Sequence, residues 1–188
     1  MKKDIILCGV GGQGILSIAT VIGEAATAAG LYLKQAEVHG MSQRGGDVQS
    51  HLRLSTEPIF SDLIPLGGAD LIISMEPMEA LRYLPWLSAE GTVVTSTRPL
   101  VNIPDYPEMA ALEAELAKLP HVIAEDIDAM ASRAGNPRGA NMALLGLAAP
   151  SLEILSRPAL REALCRVFAP KGDAIVEMNL KCYDLEQS

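Results

Sequence analysis

The sequence is poor in aromatic residues, in histidine and in cysteine, and each shortage closes off a class of function. Its 188 residues include 4% aromatics, three histidines and three cysteines. Cys8, Cys165 and Cys182 are far apart and form no CxxC pair. This chain alone therefore offers neither a zinc site nor the ligand set of an iron–sulfur cluster. An odd number of scattered cysteines reads as reduced thiols in a reducing compartment. No histidine pair has metal-ligand spacing and neither Ser17 nor Ser42 has a neighbouring base, so no catalytic or metal-binding residue is assigned. Clusters of like charge are missing as well. A net charge of −8 with a pI near 4.9 argues against nucleic acid and anionic membrane, whose phosphates need grouped Lys and Arg. MKKD leads straight into IILCGV, an apolar run too short to span a bilayer. A cytoplasmic location is the expectation.

Aliphatic content is abundant. The hydrophobic fraction is 49% and the mean hydropathy +0.22, carried mostly by Ala, Leu, Ile, Val and Met. Small aliphatic residues suit tight helix-on-sheet packing, and they equally suit a subunit with a large buried interface. The length fits one well-filled α/β domain, and no linker or repeat divides it.

Strand and helix signals alternate. Asp4–Val10 is a continuous apolar run ending near glycine, the pattern of a strand buried on both faces. Ile15, Ile18, Ala19, Ile22, Ala25, Ala26 and Ala29 recur at helical spacing, with Gly30 as a stop. Strands are expected at residues 31–38, 69–75, 91–97 and from 121. Another is expected at 47–55, where the alternation suggests an edge or one-faced strand. Helices are expected after Glu76-Pro77, over residues 107–119, over 129–150 with a break at Gly135-Asn136-Pro137, and over 158–168 and 173–183. The fold class this implies is α/β: a three-layer, Rossmann-like, mostly parallel sheet with helices on both faces.

Two loops carry the functional signals. Gly9-Val10-Gly11-Gly12-Gln13-Gly14 fits GxGxxG between a strand and a helix, where glycines let the backbone approach a phosphate at a helix N-terminus. Glu37, roughly 20 residues further on, stands where a dinucleotide site keeps its acidic residue. Close strand–helix packing without any nucleotide accounts for the same glycines. The second loop, His39 to Gly46, is longer and more polar than a dinucleotide pocket needs. It holds His39, Ser42 and Arg44, with Gly45-Gly46 beside the guanidinium, which makes either an anion clamp or an ordinary salt bridge. Asn141 opens an apolar helix and either caps it or reaches into the cleft. Glu76 reads as a first-turn residue favoured by the helix dipole.

Three segments in order, CGVGGQGILSIATVIGEAA, AEVHGMSQRGGDVQSHLRLS and DLIISMEPMEALRYLPWLSAEGTVVTST, resemble the gamma subunit or gamma-type domain of 2-oxoacid:ferredoxin oxidoreductases. The version with HGMSQRGG is similar to the beta subunit of indolepyruvate ferredoxin oxidoreductase. The resemblance runs from Asp4 to about Tyr183, so residues 1–188 read as a single gamma-type domain. It implies an assembly that oxidatively decarboxylates a 2-oxoacid, forms an acyl-CoA and reduces ferredoxin. Thiamine diphosphate and iron–sulfur clusters carry that chemistry. The chain has no cysteine cluster, and Gly172-Asp173 is followed by alanine rather than completing the GDG of thiamine-diphosphate sites. Both cofactors are therefore expected on catalytic partner subunits, with coenzyme A bound in the complex and ferredoxin reached through it. In the resemblance Gly9, Gly11, Gly12, Gln13 and Gly14 match the glycine loop, a candidate phosphate or CoA loop. Ser42, Arg44, Gly45 and Gly46 match a polar loop facing the partner, with His39 beside it, and Asn141 matches a late asparagine. A catalytically incomplete subunit should expose an apolar patch, which an isolated chain could hide by forming a homodimer. The rival expectation is a stand-alone NAD-, FAD- or CoA-binding Rossmann-like protein using the glycine loop and Glu37.

Overall fold

The computed structural model describes residues 1–39 and 45–185, with His39 described as backbone only. In chain order the elements are β1 (Lys2–Val10), α1 (Ile15–Ala28), β2 (Tyr32–His39), β3 (Asp47–Ser55), β4 (Ala69–Ser74), α2 (Pro77–Arg82) and β5 (Leu87–Ser96). After these come α3 (Met109–Leu116), β6 (Val122–Glu125), α4 (Ile127–Arg133), α5 (Ala140–Leu152), α6 (Arg157–Phe168) and α7 (Asp173–Tyr183).

The six strands form one sheet in the order β2-β3-β1-β4-β5-β6. β1, β4, β5 and β6 run parallel, as continuous apolar runs covered on both faces do. β3 pairs antiparallel with both β1 and β2. It is therefore not an edge strand, and its alternation has another origin. Ser50, Leu52 and Leu54 are buried towards the α1 side. On the other face Arg53 forms a two-pronged ion pair with Asp4 and donates to the carbonyls of Ser61 and Leu63. The His51 Nδ1 on that face accepts from the Ile64 amide at 3.0 Å. The stretch between β3 and β4 thus covers a polar face with its backbone. β2 is the edge on this side of the sheet, with Tyr32 and Val38 about half exposed, and β6 is the other.

Helices lie on both faces. Ile5, Leu7, Leu71, Ile73 and Val94 pack with α1 and α4–α7, while Ile6, Cys8, Ile72 and Val93 pack with α2, the turn at Leu84–Trp86 and α3. α5 is apolar all round and is buried along most of its length, as such a helix must be. Its Gly146 lies so close to the Tyr183 carbonyl that an added Cβ would sit 2.2 Å away. Arg157 fastens the same junction, donating to the carbonyls of Gly146 and Tyr183 at 3.0 and 2.8 Å. Among the described residues no helix is long and apolar enough to cross a membrane.

Candidate functional site

The parallel strands end on one rim of the sheet. There β1 turns back through α1 towards β2 and β3, while the chain from β4 onward builds the opposite half. This reversal between β1 and β4 is where open α/β sheets leave a crevice.

The glycine loop forms one wall of it. Val10 donates its amide to Gln13 Oε1 at 2.7 Å, and Gln13 Nε2 donates across the crevice to the Met75 carbonyl at 3.3 Å. Gln13 is thus a staple between the ends of β1 and β4. Gly9 fits because a Cβ there would lie 2.9 Å from Gln13 Oε1 and 3.1 Å from the Met75 Cβ. Gly14 is the N-cap of α1, in the left-handed region at φ +87°, and has no side chain to cap the helix. A Cβ on Gly12 would meet nothing within 4 Å. With no acidic residue in the first turn of α1, the positive end of its dipole is left for an anion.

Asn141 is the second residue of α5, whose N-cap is Gly139. It does not cap. Its Nδ2 donates to the Gly14 carbonyl at 3.3 Å and its Oδ1 accepts from Met142 at 2.9 Å, so it braces the glycine loop.

A cleft of about 460 Å³ opens beside this wall, lined by Gln13, Met75, Arg98, Leu100, Asp128, Ser132, Arg138 and Ala140 among others. Arg98 follows β5 and Arg138 lies in the turn between α4 and α5; both are exposed. Among the described residues neither has a carboxylate within ion-pair distance. Two guanidinium groups and the Ser132 hydroxyl against the one Asp128 carboxylate make a wall with an excess of donors suited to phosphate oxygens. The sequence reading missed both arginines. Their signal was position, two residues after a strand and two residues before a helix on the rim that carries sites.

Behind the cleft lies a buried polar layer. Glu76 is not in the first turn of α2 but is its N-cap, fully buried, with its carboxylate accepting from the Glu79 amide at 2.9 Å. It also accepts from the Leu100 amide at 3.3 Å and from the Tyr106 hydroxyl. Burial, then the Glu76 carboxylate, pushes the Tyr106 phenol well above its ordinary pKa. Tyr83 donates to Asp47 at 2.6 Å, and Arg82 holds Glu79 at 2.8 Å. Burial nonetheless raises the Glu79 pKa, which Arg82 only partly opposes. Among the described residues no donor reaches the buried Asp47 Oδ1, Gln49 Oε1 or Asn102 Oδ1.

The loops of this rim are tied to one another. Gly11 donates to the Gly46 carbonyl at 2.8 Å and Asn102 Nδ2 to the Gly45 carbonyl at 2.8 Å. Gly9, Gly11, Gly12, Gln13, Gly14, Gly45, Gly46 and Asn141 therefore meet in one place. Ser42, Arg44 and the His39 side chain lie outside the described residues. Glu37 is not part of this assembly. β3 separates β2 from β1, so Glu37 stands two strand spacings from the glycine loop, about 10 Å rather than the 5 Å of a dinucleotide fold. It accepts instead from Gln35 on its own strand. That displacement counts against the stand-alone dinucleotide reading.

The sequence profile of the pyruvate ferredoxin/flavodoxin oxidoreductase family matches residues 4–185. The chain is 39% identical over 154 residues to indolepyruvate oxidoreductase subunit IorB of Archaeoglobus fulgidus, covering 78% of this chain and 76% of that one. Against the same subunit of Pyrococcus horikoshii it is 35% identical over 195 residues, covering 98% and 95%. Among solved structures, the gamma subunit of a keto/oxoacid ferredoxin oxidoreductase from Geobacter sulfurreducens superposes with a TM-score of 0.73 at 22% identity, covering 97% of this chain and 93% of that one. The 2-oxoglutarate:ferredoxin oxidoreductase of Magnetococcus marinus, solved with 2-oxoglutarate, coenzyme A and succinyl-CoA, also superposes with a TM-score of 0.73 at 22% identity. There this chain covers only 30% of the longer one. At these identities the structural likeness speaks for the fold.

Proposed function

The chain belongs to the pyruvate ferredoxin/flavodoxin oxidoreductase family, and from that premise we propose that it is the cofactor-free subunit of a 2-oxoacid:ferredoxin oxidoreductase acting on aryl pyruvates such as indolepyruvate. The observation that carries this reading is the identity of 35–39% to indolepyruvate oxidoreductase subunits, which in the second case spans nearly both chains. The assembly takes a 2-oxoacid, releases carbon dioxide, transfers the acyl group to coenzyme A and passes two electrons to ferredoxin. It works in the cytoplasm.

The residues present do not fit an iron–sulfur cluster. Cys8 is buried in the core beneath α2 and Cys182 in the core on the other side of the sheet, while Cys165 is half-buried on α6. Thiamine diphosphate and the clusters belong to catalytic partner subunits. Coenzyme A does fit. Arg98 and Arg138 outnumber the Asp128 carboxylate on the cleft wall and suit its phosphates, and the glycine loop enters that wall through Gln13. When bound, coenzyme A supplies the thiol that accepts the acyl group. This chain's part is to hold the phosphate end, present Gly45-Gly46 and the adjoining polar loop to the partner, and cover the acyl-transfer step from water.

The test is reconstitution. The purified chain, its catalytic partner, ferredoxin, coenzyme A and a panel of 2-oxoacids are combined anaerobically, and ferredoxin reduction is followed by absorbance. Indolepyruvate should give the highest kcat/KM, and only when both chains and coenzyme A are present. Turnover by the partner alone at the same rate would sink the proposal.

A further inference from the structure

Glu76 is a fully buried carboxylate whose described partners are all neutral hydrogen-bond donors, an arrangement costly enough to call for a reason. Its backbone is pinned twice by Ser74, whose hydroxyl donates to the Glu76 carbonyl at 2.6 Å and accepts from its amide at 3.2 Å. The residue before it, Met75, receives the Gln13 staple of the glycine loop at its carbonyl. The Met75-Glu76 corner therefore faces two ways: towards the glycine loop through a carbonyl and towards residues 98–106 through a carboxylate.

Among the described residues the segment 98–106 is otherwise tied at its start by the Arg98 amide, which donates to the Ser96 hydroxyl at 3.0 Å. Val101 and Ile103 are 69% and 41% exposed, and Asn102 makes the bond to Gly45 while its Oδ1 has no partner among the described residues. Yet this segment begins with Arg98, one of the two guanidinium groups of the cleft. A long side chain on a loop held by few bonds makes a poorer phosphate ligand, because binding must then order the loop as well as the side chain.

We propose that Glu76 and Tyr106 are positioning residues for the cleft: together they latch segment 98–106 to the end of β4, and so hold Arg98 at the spot where it meets a phosphate group of coenzyme A. The proposal rests on the coenzyme A reading given above. It adds that the strength of the Arg98 contact depends on a bond made eight residues further along the chain, on a side chain that never touches the ligand, alongside the nearer bond from the Leu100 amide to the same carboxylate. Tyr106→Phe removes the hydroxyl and keeps the ring. Glu76→Gln keeps the shape and weakens the acceptor.

The test is a double-mutant cycle in the assembled complex, varying coenzyme A at saturating 2-oxoacid. Tyr106→Phe should raise the KM for coenzyme A about tenfold, the factor that follows from losing one hydrogen bond to a charged group, and leave kcat in place. Glu76→Gln should shift KM in the same direction. Arg98→Ala should also raise KM, and in its background Tyr106→Phe should have no further effect, since the latch acts through Arg98. An effect of Tyr106→Phe that is equal in both backgrounds overturns the latch. So does a silent Tyr106→Phe beside an active Arg98→Ala, which leaves the cleft reading standing. A silent Arg98→Ala overturns the cleft reading and the latch with it.

Discussion

Replacing Gly14 with alanine tests whether the glycine loop is shaped by its contacts or merely tolerates glycine. Gly14 sits at φ +87° and ψ 25°. An L side chain there costs about 1–2 kcal/mol in backbone strain. Its Cβ would also stand 2.6 Å from Asn141 Nδ2, so the asparagine must swing away and forfeit its bond to the Gly14 carbonyl. That loss adds about 1 kcal/mol. Gly14→Ala should therefore destabilise the chain by about 2–3 kcal/mol, or roughly 4–12 °C in Tm for a domain of this size. Gly12 supplies the control. It has φ +104° with open space around it, so Gly12→Ala should cost the strain alone, about 1–2 kcal/mol. Urea unfolding with an unchanged m-value reads both. Asn141→Ala should cost about 1 kcal/mol in the native background and next to nothing beside Gly14→Ala. Equal costs for the two glycine variants, or an Asn141→Ala cost that ignores Gly14, would show that the Asn141 contact does not shape the loop.

His51 is neutral in the fold, because burial and then the Arg53 charge lower its pKa below 6.5, and its Nδ1 must accept from Ile64. Its folded pKa is depressed, so its contribution is complete above the ordinary value and is lost as pH falls through the folded one. Thermal melts should show wild-type stability dropping from pH 7 towards pH 5, and His51→Asn, which retains an acceptor, flattening that drop; equal slopes would count against it. Thiol reactivity should also differ by site. Burial pushes the Cys8 thiol far above the ordinary range and raises that of Cys182, while Cys165 is half-buried. Native alkylation followed by mass spectrometry should modify Cys165 first and reach Cys8 only after unfolding.

Much of the fold was legible locally. Asp173–Tyr183 and Asp47–Ser55 run as their periodicity predicts, and the Gly135-Asn136-Pro137 break separates α4 from α5. Gly30, read as a stop, adopts φ +70° just after α1. Strand order was not legible. Alternation in β3 reports that its two faces differ, but not which strands flank it, and that depends on pairing with β1 far away in the chain. The same limit hid the cleft, because Arg98 and Arg138 meet only through the sheet. Glu76 is a different case. The proline that follows marks the first helical position, which makes Glu76 the N-cap whatever its type. Its burial under residues 98–106 needed the tertiary structure.

A chain of this kind should work only as part of a larger oxidoreductase. Anaerobic affinity purification of the tagged chain from its own cells tests it most directly, with the masses of co-purifying chains and the visible spectrum recorded together. A larger, cysteine-rich partner and the broad brown absorption of iron–sulfur clusters should come with it. A colourless, partner-free chain that retains a bound nucleotide would contradict it.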